Sequence, residues 1–119
     1  MKNLTQNLER LKKIKMFVLD MDGTIYLDAI PLPGAIDFCE KIEKSHKLLY
    51  FTNNASRNPM DYVDRLTGIG FPATRQNIVT SGDVTIDFLN TFHKGEPVYL
   101  VGTPALEKSF TEGGITLSD

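Results

Sequence analysis

A chain of 119 residues has room for one small domain with one core and excludes a core with a sizeable second domain. Its 41% hydrophobic and 24% charged residues describe a folded protein, and a formal net charge of -2 argues against an extended nucleic-acid surface. Cys39 is the only cysteine, which excludes an internal disulfide and points to a cytoplasmic setting; no segment reaches the run of about 18 apolar residues that a membrane helix needs.

At the N-terminus, Leu4, Leu8, Leu11 and Ile14 recur at helical spacing, and Lys2, Arg10, Lys12, Lys13 and Lys15 make this end basic. The pattern predicts an amphipathic helix over residues 1–14, docked on the domain. Met16 to Leu19 form an apolar run without alternation, as expected of a strand covered on both faces of a parallel sheet. A loop with Pro31, Pro33 and Gly34 leads into a helix outlined by Ala35, Ile36, Phe38, Cys39 and Ile42, and Leu48 to Phe51 read as a second buried strand.

Asn58 before Pro59 is a cap followed by proline at the first helical position, with Tyr62, Val63 and Leu66 facing inward and Gly68 closing the helix. Ile78 and Val79 supply a short third strand, and Ser81 caps a helix whose apolar face includes Val84, Phe88, Leu89 and Phe92. Pro97 to Val101 make a fourth strand; Thr103 and Pro104 start a last helix that Gly113 and Gly114 stop. Strand and helix alternate throughout. The expected fold is therefore α/β, a doubly wound, largely parallel Rossmann-like sheet whose ligand site lies beyond the carboxyl ends of its strands.

Asp20, Asp22, Gly23 and Thr24 stand after the first strand, and Thr52, Asn53 and Asn54 after the second. Two carboxylates so close repel each other unless something positive sits between them. Together they can hold Mg²⁺ through oxygen, while a hydroxyl and exposed amides bind phosphate oxygens and Gly23 lets the chain turn sharply. Other readings of these segments fail on spacing. Counted from Asp20, the glycine and glutamate positions of a calcium EF-hand loop hold Ile25 and Pro31; Gly68, Gly70 and Ala73 mimic a dinucleotide fingerprint but follow a helix.

The segments DMDGTIY, PLPGA, FTNNASR, TSGDVTIDFL and VYLVGTPALEKSF, in this order, resemble the N-terminal half of the NagD-like, p-nitrophenylphosphatase-like branch of the haloacid dehalogenase-like (HAD) hydrolases. The resemblance covers residues 15–119. It implies a Mg²⁺-dependent phosphatase of a small phosphorylated metabolite, with Asp20 as nucleophile and Asp22 as proton donor and acceptor. Both aspartates would serve the metal, Asp22 through its backbone carbonyl. Thr52 and Asn53 would bind the transferring phosphate, and Gly23, Asn54 and Arg57 could face substrate, although Asn54 could equally fix the loop.

The resemblance also implies a lysine and a further acidic motif beyond an inserted cap domain. Lys94 and Lys108 stand in no matching context, and VYLVG is followed by Thr103, Pro104 and Ala105 rather than an aspartate. The chain is thus expected to be an incomplete core without its cap, weak or inactive alone. The alternative is a non-catalytic phosphate-binding or protein-association module on the same fold, and homo-oligomer formation is left open.

Overall fold

A computed structural model describes residues 4–119, so Lys2 of the basic N-terminus lies outside the described residues. Helix α1 spans Leu4–Lys13 and leads into strand β1, Met16–Asp20. A short antiparallel hairpin follows, β2 at Tyr26–Leu27 and β3 at Ile30–Pro31, in what the sequence suggested was only a loop. Helix α2 (Ala35–Glu43), strand β4 (Lys47–Thr52), helix α3 (Pro59–Ile69), strand β5 (Ile78–Thr80), helix α4 (Ser81–Phe92) and helix α5 (Pro104–Glu112) complete the order. The fold is α/β with a parallel three-stranded sheet ordered β1-β4-β5, as the alternation of elements predicts.

Register decides what the strand ends share. Asp20 lies opposite Phe51 and Thr52 opposite Thr80, so all three strands finish on one rim of the sheet. Below that rim the core gathers around Tyr50, Leu66 and Cys39, each with no exposed surface. Tyr50 keeps its hydroxyl satisfied there by donating to the Pro72 carbonyl at 2.9 Å, as a buried phenol must.

Local signals set the helix starts. The Asn58 side chain accepts from the Met60 amide at 2.8 Å while the Asp61 carboxylate accepts from the Asn58 amide at 3.2 Å, closing the N-terminus of α3. Such a cap is worth about 1 kcal/mol. One residue earlier than the sequence suggested, Thr80 rather than Ser81 caps α4, exchanging bonds of 3.0 Å with Asp83. The helix α3 runs through Gly68 and ends at Gly70, whose φ of 122° a side chain would resist.

Four expectations are corrected. β1 is not covered on both faces, for Val18 is 59% exposed; it also ends the described sheet. The apolar side of α4 is likewise open, with Val84, Phe88 and Phe92 exposed and the two phenylalanines resting on each other at 5.0 Å between ring centroids. The run from Pro97 to Val101 forms no sheet strand; Val98 instead makes a single parallel bridge to Leu117, two bonds of 2.8 Å tying it to Thr116 and Ser118. Finally α1 forms but leaves Leu8 and Leu11 about half exposed instead of docking them. Each sequence pattern marked an apolar face correctly; what it could not supply was an element to cover that face. No helix among the described residues is long and apolar enough to cross a membrane.

Candidate active site

β1 delivers Asp20 to the rim of the sheet, where the chain turns at once. The Asp20 carboxylate caps this turn, accepting from the Met21 amide at 2.9 Å and from the Thr24 hydroxyl at 3.5 Å. Amides of Thr24 and Ile25 both donate to the Met21 carbonyl at 3.0 Å, and the Gly23 amide donates to the Tyr26 carbonyl at 2.8 Å. Gly23 has a φ of 81°, a conformation that favours glycine. Its amide is used inside the turn rather than held out toward a ligand.

The turn points Asp22 outward from between two fully packed neighbours, Met21 and Ile25. Asp22 is exposed, and among the described residues no donor bonds to its carboxylate. It lines a cavity of about 210 Å³ together with Thr52, Asn54 and Arg57, three of the residues singled out after the second strand and its loop. Asp20 and Asn53 are exposed on the adjacent strand ends and do not form the wall of that cavity.

The loop after β4 is built by its own hydrogen bonds. The Thr52 hydroxyl, in a side chain only 8% exposed, accepts from the Asn54 amide at 3.1 Å. Asn54 Oδ1 accepts from the Ser56 amide at 2.9 Å and the Ser56 hydroxyl at 2.6 Å, so this side chain fixes the loop. Ser81 and Thr103 clamp the loop from outside, donating to the carbonyls of Asn53 and Ser56 at 3.0 and 2.9 Å. Arg57, exposed on the same loop, forms no ion pair among the described residues.

Sequence reasoning did not assign three further residues of this cavity, Tyr26, Tyr62 and Arg65. Tyr62 is buried, and its hydroxyl donates to the Asn54 carbonyl at 3.0 Å. Burial pushes its phenol above the ordinary tyrosine value, against the opposing pull of the Thr52 hydrogen bond and the Arg57 guanidinium. Arg65 stands three residues on, the same face of α3 one turn later, with its guanidinium 5.3 Å over the Tyr26 ring. That spacing was the available signal, but a single tyrosine–arginine step on a helix is common enough to pass unremarked.

The sequence signature of the haloacid dehalogenase-like hydrolases matches residues 17–116, from within β1 to beyond the end of α5. The chain belongs to the haloacid dehalogenase-like hydrolases. Among its relatives, an acid sugar phosphatase of Staphylococcus haemolyticus is 30% identical over 111 residues, 92% of this chain and 42% of the relative. The 4-nitrophenylphosphatase of Thermotoga maritima superposes with a TM-score of 0.85 at 38% identity, over 91% of this chain and 42% of that one. NagD from E. coli K-12 superposes with a TM-score of 0.78 at 31% identity, over 88% and 42%. This member of the family therefore spans less than half the length of the relatives it matches, and corresponds to an incomplete core of the NagD-like, nitrophenylphosphatase-like branch.

Proposed function

We propose that this chain is the N-terminal core segment of a Mg²⁺-dependent phosphoric monoester hydrolase that acts in the cytoplasm on a small phosphorylated metabolite. The observation that carries this reading is the convergence of Asp22, Thr52, Asn54 and Arg57 on one cavity at the rim where Asp20 ends β1.

In the first step an Asp20 carboxylate oxygen attacks phosphorus in line while the bond from phosphorus to the leaving oxygen breaks. Asp22 gives its proton to that oxygen, and an aspartyl-phosphate remains on Asp20. In the second, water attacks the same phosphorus and passes a proton to Asp22, and the bond to Asp20 breaks to release inorganic phosphate. Thr52, with Asn53 beside it, stabilises the charge that spreads over the transferring group.

The donor set suits a hard cation. The Asp20 carboxylate and the Asp22 carbonyl offer only oxygen, and Mg²⁺ commonly takes one or two carboxylates while keeping waters and substrate phosphate as its other ligands. Bound there, Mg²⁺ would neutralise phosphate charge.

Lys108 faces Glu112 at 3.9 Å on the exposed side of α5, and neither it nor Lys94 lines the cavity, which supports reading both as surface charge rather than as the distal phosphate-binding lysine. We therefore expect hydrolysis by the 119-residue chain to be slow. Its release of nitrophenol from p-nitrophenyl phosphate with Mg²⁺ should be barely above background and vanish in Asp20→Asn. Turnover at ordinary enzyme rates, of the order of 1–10³ s⁻¹, would refute the expected weakness, and full activity in Asp20→Asn would refute the nucleophile.

A further inference from the structure

Asp22 gives the cavity a direction. In the reading above it protonates the leaving oxygen, so side chains that share its cavity, whose wall Asp20 does not form, lie within reach of the leaving group. Two guanidiniums share that cavity, Arg57 from the loop after β4 and Arg65 from α3. Neither is paired with a carboxylate among the described residues, although the chain carries 15 acidic side chains.

Arg65 is held for a purpose that its own contacts do not fulfil. Nη2 donates to the carbonyl of Asp28, a residue that itself adopts a φ of 55°, and the guanidinium plane lies over the buried Tyr26 ring. Both partners are uncharged and both fix orientation. A guanidinium so oriented loses little entropy when a planar anion arrives, and its fork matches a carboxylate or a second phosphoryl group in a bidentate way. Arg57, exposed on the loop after β4, brings a second guanidinium to the same cavity.

Resting on the phosphatase reading, we propose that Arg57 and Arg65 select substrates whose leaving group carries a second anionic group, a carboxylate or another phosphate, close to the ester oxygen. The cavity, about 210 Å³ and lined by these two guanidiniums, has the charge to receive a small acid. Selectivity would then be partly written in this core segment, on Arg57, which the sequence marked as able to face substrate, and on Arg65, which it left unassigned.

Calorimetric titration of the chain in the presence of Mg²⁺ tests this with two non-hydrolysable probes of similar size, ethylphosphonate and phosphonoacetate, which differ by one carboxylate. Phosphonoacetate is expected to bind at least about tenfold more tightly, the effect of one good charge-assisted pair. That preference should fall below about threefold in Arg65→Gln and likewise in Arg57→Gln, the exposed Arg57 serving as the independent test if Arg65→Gln loses its helical circular dichroism. Equal affinity for the two probes in the unaltered chain overturns the proposal and leaves the phosphate site standing. A preference retained in both variants traces to the metal and also overturns it. Failure of either probe to bind at millimolar concentration overturns the phosphatase reading and the proposal together.

Discussion

The Tyr62 hydroxyl donates to the Asn54 carbonyl at 3.0 Å, joining the first turns of α3 to the loop that carries Thr52. Thr52 Oγ1 in turn accepts from the Asn54 amide, so the phenol and the Thr52 hydroxyl together fix Asn54 at its carbonyl and at its amide. Tyr62→Phe keeps the packing and removes the donor, leaving a carbonyl short of its partner. The expected cost is about 1 kcal/mol, read as a thermal midpoint lowered by roughly 4 °C. An unchanged midpoint would show that the loop does not depend on this bond.

Alkaline pH should unfold the chain earlier than its surface charge suggests. Burial raises the Tyr50 phenol far above its ordinary value of 10.0, with Cys39 and Glu43 adding to the effect, and burial raises Tyr62 as well. Below about pH 10 the phenols are neutral whether folded or not, and this contribution to stability is fully present. Above it the unfolded chain releases protons that the folded chain retains, so stability is lost as pH rises. Urea midpoints at pH 9 and pH 11 should differ, and Tyr50→Phe should flatten the difference; equal midpoints in the parent chain would contradict the assignment.

Cys39 should resist alkylation. It has no exposed surface, and burial raises its thiol above the ordinary value despite an opposing hydrogen bond with Tyr50. Thiolate is the reactive form, so iodoacetamide at pH 8 is expected to leave the native chain unmodified and to label it in urea. Rapid labelling of the native chain, followed by mass spectrometry, would place the thiol outside the core.

Gly23→Ala isolates a backbone effect. No atom lies within 4 Å of where a Cβ would stand, so the substitution meets no clash, but a φ of 81° disfavours any L side chain. A loss of about 1–2 kcal/mol is expected from urea unfolding. A neutral result would mean that the turn after Asp20 relaxes to negative φ.

Much of this molecule was legible in its order of residues. Asn58-Pro59 and Thr103-Pro104 announced two helix starts because caps and prolines act locally, through bonds within a few residues. The rim position of Asp20 and the cavity position of Asp22 and Thr52 followed from strand ends, which an apolar run marks clearly. Arg65 and Tyr26 were not legible in this way, since their meeting joins α3 to the β2–β3 hairpin across 39 positions and no local rule brings a guanidinium over a ring. The Pro97–Val101 run misled for a related reason: apolar content reveals that a segment prefers extended pairing, yet its partner near Leu117 is chosen by tertiary placement.

β1 has a neighbour along one side alone among the described strands. The residue proposed to attack phosphorus thus ends a strand whose second flank carries no described strand, while attack in line demands an alignment of a fraction of an ångström. Steadying that flank would sharpen the chemistry without altering any group that touches the substrate.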